Sequence, residues 1–287
     1  MSIETTSGNS ALLASVVQQL VVQPLEQAST FLAAGPIIID SNKPVRIPRI
    51  TAGTSAGFVA EGNLISDGSV TFDEVDALPS TLKSIKVWLP VSNELLRTSA
   101  VDGLNAILQT RLLTDVSHAL DTALWDGAGT SNTIKGILQE SGIATGTLDL
   151  TDADSLIDGL ATAQGNKVSP THLVMTSASF SALRKLKVGT DDKRYIFDPN
   201  GSIQDGTAFR LLGLPVIITD HIPDVSSKAR VALVDFSKVA VVRDTDASVF
   251  IADQTLANYD TVAIRVTLRM DVTLLQPHAV TVLTEAS

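Results

Sequence analysis

The stretch Ile264-Arg265-Val266-Thr267-Leu268-Arg269-Met270-Asp271-Val272 alternates apolar and polar residues without a break. Successive side chains of a β-strand point to opposite faces, so the pattern predicts a long strand with Ile264, Val266, Leu268, Met270 and Val272 packed inward. Arg265, Thr267, Arg269 and Asp271 then occupy the polar face. Gln276-Pro277-His278 breaks the alternation, and Ala279 to Leu283 resumes it.

Upstream of this strand the element type changes repeatedly. Leu214 to Thr219 and Val231 to Phe236 read as strands, and His172 to Thr176 as a buried one. Ser177 to Lys187 reads as a helix with Arg184, Lys185 and Lys187 on a basic face, and Thr151 and Asp154 as caps of a helix to Gln164. The longest element is a helix from the capping-box-like Ser99 and Asp102 to Asp126-Gly127, with an apolar ridge of Leu104, Leu108, Leu112, Val116, Ala119 and Ala123. Before it, Ser84 to Val91 sets Ile85, Val87 and Leu89 against Lys86 and Trp88, and Ser92 caps a short helix through Leu96.

Residues 1 to 9 are polar, and Leu13, Val16, Val17 and Leu20 follow at helical spacing. Pro24 suits the first position of a second short helix with Leu25, Ala28 and Leu32 on one face, and Gly35 suits the position just past its end. After Ile37 to Ile39, Pro44 and Pro48 among Val45, Ile47 and Ile50 predict an edge or irregular strand. Residues 52 to 82 contain Glu61, Asp67, Asp73, Glu74 and Asp76 but no Lys or Arg, with Phe58, Val59, Val70 and Phe72 as isolated apolar positions. A β-biased acidic segment without a core of its own predicts a long projecting hairpin.

Composition narrows the function. Across 287 residues, 21 Lys and Arg stand against 31 Asp and Glu, a net charge of -10 with the wrong sign for gripping phosphates. The absence of Cys excludes disulfides, thiolate catalysis and Cys-based zinc sites. No Lys or Arg precedes Lys43, and Gln18, Gln19, Gln23, Pro24 and Glu26 break the apolar run after Ala11, so neither a signal peptide nor a membrane span is expected. Only 18% of residues are charged while 44% are hydrophobic, which fits either surface buried against partner subunits or a large β-rich core.

The motifs for chemistry fail in their context. Gly53-Thr54-Ser55-Ala56-Gly57 has the spacing of a nucleophile elbow, but the residues after it lack the helix that would expose Ser55, so a Gly-rich bend is the simpler reading. Gly127-Ala128-Gly129 follows a helix where a dinucleotide motif needs a strand. His118, His172, His221 and His278 form no metal-ligand spacing, and the acids from Asp149 to Asp158 lack the Gly and terminal Glu of a calcium loop. The few aromatics, 8 Phe, 2 Trp and 2 Tyr, supply no platform for stacked bases. No catalytic, cofactor or metal site is predicted.

The order of parts resembles the major capsid proteins of tailed bacteriophages with the Hong Kong 97 fold. The pieces that carry the likeness are Phe58-Val59-Ala60-Glu61, Lys86-Val87-Trp88-Leu89-Pro90-Val91-Ser92, Asp121 to Gly129, Gly136-Ile137-Leu138, Arg194-Tyr195-Ile196-Phe197, Leu212-Gly213-Leu214-Pro215-Val216 and Arg265 to Pro277. The resemblance implies an α+β fold with an N-arm at 1–35, a strand region at 36–51, an extended E-loop at 52–83 and a P domain with a spine helix at 84–144. An A domain follows at 145–235, and the strands of 236–287 return to the P domain.

The implied function is structural: hexamers and pentamers closing an icosahedral head around double-stranded DNA, in a virion assembled in the bacterial cytoplasm. Its partners would be further copies of the chain, a portal, and separate scaffold or decoration proteins, with the DNA enclosed and not read. A fused scaffold is not expected, because the arm before the first strand is too short to be one. Some family members weld subunits through an E-loop Lys and a partner Asn; here residues 52 to 82 have no Lys, Glu74 stands near the aligned position, and Asp260 and Thr267 stand where partners would lie. Non-covalent contacts are therefore expected, with Glu61, Asp73, Glu74 and Asp76 of the loop and Arg265 and Arg269 of the long strand as candidates. An encapsulin-type nanocompartment shell shares the implied fold, and a serine hydrolase through Ser55 is the alternative of another class.

Overall fold

The computed structural model describes residues 29–52, 57–60, 62–63, 70–77, 83–92, 104–130, 132–187, 210–256 and 259–286. The predicted helix around Leu13 to Leu20, the Pro24 start, the caps at Ser99 and Asp102, the Gly-rich bend at Ser55, Glu61 and the Arg194-Phe197 piece lie outside them. Among the described residues twelve strands form three sheets. β1 (Ile37–Asp40), β10 (Val239–Leu256), β11 (Thr261–Leu274) and β4 (Ile85–Ser92) lie side by side in that order. β2 (Val45–Ala52) and β3 (Thr71–Ala77) form a separate antiparallel ladder. The third sheet has the order β5 (Ala144–Leu148), β12 (Val280–Glu285), β9 (Arg230–Val234), β6 (His172–Met175), β8 (Leu214–Ile218) and β7 (Arg210–Leu211).

The alternation from Ile264 to Val272 is the middle of β11, and Val266, Leu268, Met270 and Val272 are buried as their period requires. Their inward face meets α2 (Leu104–Asp126), whose Val116, Leu120, Leu124 and Trp125 lie in the same core. The ridge read from sequence shifts here: Ala119 is exposed, and the buried row continues by fours from Leu112 through Val116 and Leu120 to Leu124. Each step of four advances about 40° around a helix, so the row winds to follow a twisted sheet where a shift to the smaller alanines would leave space.

The six-stranded sheet is buried on both faces. Val174, Ala232, Val234, Val280 and Val282 join the core of the four-stranded sheet. Their neighbours Leu173, Met175, Val231, Leu233 and Leu283 pack under α3 (Asp154–Gly165) and α4 (Ser177–Arg184). Strands covered on both sides read as unbroken apolar runs, as Val231 to Val234 does. Thr176 caps α4 by accepting from the Ser179 amide at 3.3 Å. The caps expected for α3 fall differently: its N-cap is Ala153, and Asp152 accepts from the Asp154 amide while Thr151 turns to Asp149.

α1 (Thr30–Ala33) is the first described element, capped by Ser29 and followed by Gly35 at φ +80°, the left-handed position expected for it. Phe31, and not Leu32 alone, is its anchor. It is fully buried, edge-on to Trp125 at 4.7 Å and to Phe236 at 5.7 Å. Buried Asp121 of α2 fastens this segment by accepting from the Ser29 hydroxyl and, at 2.7 Å, from both the amide and the hydroxyl of Thr30.

After α2 the chain doubles back so closely that two positions admit only glycine. A Cβ on Gly127 would lie 2.2 Å from the Ile134 carbonyl oxygen, and one on Gly136 2.5 Å from the amide nitrogens of Asp126 and Gly127. The pattern Asp126-Gly127-Ala128-Gly129 … Gly136-Ile137-Leu138 is thus a backbone crossing that delivers Ile137 and Leu138 to the core.

Candidate functional site

The outward face of the four-stranded sheet is covered at one end and open at the other. Near the covered end, Val242 lies opposite Asp271 in the ladder and is sealed by the root of the β2–β3 hairpin through Ala77 and Val45. Lys83 also closes on Asp271 at 3.2 Å, with side chains only 15% and 5% exposed, pinning the chain where it enters β4. At the open end, Phe250, Arg265 and Trp88 stand side by side across β10, β11 and β4. The Arg265 guanidinium lies 5.1 Å from the centre of the Phe250 ring, and Phe250 and Trp88 remain 52% and 46% exposed.

The hairpin has a second open face. Its register pairs Arg46 with Asp76, Pro48 with Glu74 and Ile50 with Phe72 on the side away from Val45 and Ala77. Ile50 and Phe72 are 64% and 70% exposed. Ladder pairing begins at Val45, so two arginines ahead of residue 52 belong to the hairpin. Arg46 reaches Glu74 and Asp76 at 3.3 Å, both contacts being solvent-exposed. Arg49 takes Asp73 on the opposite face; its hydrogen bond, then that of the Glu74 amide, holds the Asp73 carboxyl below the usual carboxylate range.

The predicted contact residues therefore divide. Asp73 is committed to Arg49, and Glu74 and Asp76 share Arg46 at the surface. Arg269 leans toward Asp244 at 3.4 Å, its side chain 35% exposed, while Arg265 is the exposed cation of the open row. Sequence reasoning passed over Arg46 and Arg49 because it counted the charges of one hairpin strand only. Trp88 was legible in its alternation with Lys86. Phe250 was not: bulges between Arg243 and Thr245 and between Thr245 and Ser248 interrupt the alternation of β10.

Among the described residues no group of three or more His, Asp or Glu is placed to hold a metal ion, and no helix is long and apolar enough to cross a membrane. A model of the phage capsid family matches residues 9–284. No curated protein sequence matches the chain significantly. Solved structures share its fold. The capsid of a native GTA particle has a TM-score of 0.73 at 20% identity, covering 90% of this chain and 91% of that one. The Microbacterium phage Oxtober96 structure gives 0.72 at 17% and the Mycobacterium phage Bobi structure 0.68 at 16%, each covering 90% of this chain and 91% of the other. Since the family model runs through both sheets, α2 and the hairpin, this chain belongs to the phage capsid family, a structural family and not an enzymatic one, and has its Hong Kong 97-like fold.

Proposed function

We propose that copies of this chain form hexamers and pentamers that close an icosahedral head around double-stranded DNA through non-covalent contacts. The observation that carries the reading is the pair of open surfaces: the face of the hairpin with Ile50 and Phe72, and the row Phe250–Arg265–Trp88. The chain's own hairpin root seals one end of the sheet face, and the hairpin of a neighbouring copy seals the other. The same element thus serves twice, with apolar contact supplying most of the attraction. Glu74 and Asp76 meet Arg265, with Arg269 beside it; Asp73 stays with Arg49, and Glu61 belongs to the same loop.

In this reading residues 1–35 are the N-arm, 36–51 a strand region, 52–83 the E-loop, 84–144 the P domain with α2 as its spine, 145–235 the A domain, and 236–287 the return to the P domain. Assembly takes place in the host bacterial cytoplasm with a portal and any separate scaffold or decoration protein. The GTA capsid, described with fivefold symmetry in native and empty particles, supports rings of this kind. Electron micrographs of the purified protein test the proposal. Closed shells are expected, and a monomer that persists in sedimentation at micromolar concentration overturns it.

A further inference from the structure

A ring of three hydrogen bonds joins α2 to the turn that follows β8. The Thr122 hydroxyl donates to the His118 carbonyl at 2.8 Å and lies 2.9 Å from Nδ1 of His221. With that proton on the carbonyl, the oxygen accepts from His221, whose hydrogen then lies on Nδ1. Nε2 of His221 is then a lone pair, and it accepts from Nδ1 of His118 at 3.3 Å. These tautomers are assigned from the hydrogen-bond pattern, the two ring centres being 5.1 Å apart.

The rest of the turn is held by groups that do not titrate near neutrality. Ile222 is fully buried, and the Pro223 carbonyl accepts from Arg230 at 2.9 and 2.6 Å. Nε2 of His221 is the sensitive atom of the ring, because a proton there turns the acceptor into a donor facing the Nδ1–H of His118. We propose that this ring is a proton-operated latch: with Nε2 of His221 bare it holds the 219–223 turn against α2, and with a proton there it releases the His221 end.

The charged groups around His221 are Asp121 of α2 and Asp220 of the turn, which favour its cationic form, and His118, which opposes it. Burial outweighs them and keeps the imidazole below its usual range. The released turn binds more protons than the latched one. The latch is therefore complete above the ordinary imidazole value of about 6.5 and weakens as pH falls below it.

Hydrogen exchange of the full chain at pH 7.5 and 5.5, corrected for intrinsic rates, tests this. Amides of 219–222 and 224 are expected to lose protection by about tenfold at pH 5.5. His221→Asn keeps a donor toward Thr122 but takes up no proton, and its protection should be the same at both pH values. His172→Asn should keep the wild-type loss. Unchanged wild-type exchange, a persisting loss in His221→Asn, or its disappearance in His172→Asn overturns the latch. Imidazole ¹⁵N spectra of the wild-type chain at pH 7.5 give a check that needs no variant: the Nδ1–H form is expected at both His118 and His221, and an Nε2–H form at His221 overturns the ring.

Discussion

Arg230 and Asp126 form a two-pronged ion pair, at 2.6 and 3.2 Å, whose side chains are only 6% and 11% exposed. It ties the last residue of α2 to the first of β9. Asp126→Ala would leave a buried guanidinium without its counter-ion, a loss of about 3–5 kcal/mol in thermal unfolding. Arg230→Met with Asp126→Leu should lose much less. Equal losses in the single and double variants would show that packing, and not the stranded charge, sets the cost.

The backbone crossing after α2 gives a contrast between glycines. Gly127→Ala would force a methyl to within 2.2 Å of a carbonyl oxygen, whereas a Cβ at Gly165 in α3 meets nothing within 4 Å. Gly165→Ala should stabilise by about 0.4–1 kcal/mol, and Gly127→Ala should lower the denaturation midpoint by more than that gain. An alanine tolerated at 127 would contradict the crossing.

If the hairpin of one copy lies on the open row of another, Arg265→Glu should impair shell formation more than Arg269→Glu, because Arg269 already has Asp244 beside it. Each exposed pair contributes only ~0–1 kcal/mol, but it recurs at every interface. Glu74→Arg combined with either arginine variant should restore part of the yield of shells counted in micrographs. No recovery in either combination disproves the charge pairing.

Residues 52 to 82 contain no Lys, so shells should dissociate fully in denaturant. A denaturing gel of intact particles is expected to show one band at 30.2 kDa. A ladder of heavier bands would reveal a covalent bond between subunits.

Stability should respond to pH in two ranges. Burial holds His172, packed at 5.2 Å against Phe236, and His221 below the imidazole range, so unfolding takes up protons and Tm should decline as pH falls below about 6.5. Asp40, hydrogen-bonded by Arg243, and Asp149, hydrogen-bonded by Thr151, are held below the carboxylate range, as is Asp73. The contribution of these acids is complete above about pH 3.9 and is lost below it. A Tm that stays flat from pH 7.5 to 5.5 would contradict the first range.

Where one periodicity controls a segment, the sequence was readable. β11 declares its faces from Ile264 to Val272, and Lys86 with Trp88 marks the outward side of β4. The same reading failed where tertiary contacts choose between similar residues. α2 buries Leu120 and Leu124 in place of Ala119 because larger side chains fill the space under the sheet. Asp154 is not the cap because the helix starts one residue earlier than expected, with Ala153 at the N-cap and Asp154 in the first turn. Among the site residues, Arg265 could be assigned to a face, but its neighbours Phe250 and Trp88 come from strands distant in sequence, and register across a sheet is not written in any one of them.

Phe31 and the valines of β12, Val280 and Val282, lie in one core. A ribosome adding about 5–20 residues per second needs roughly 10–50 s to travel between them, and contacts so far apart in sequence form slowly. The nascent chain therefore spends most of its synthesis without a complete core, which closes only after β12 has emerged. If assembly needs that finished core, the timing of translation keeps growing chains from joining one another on the polysome.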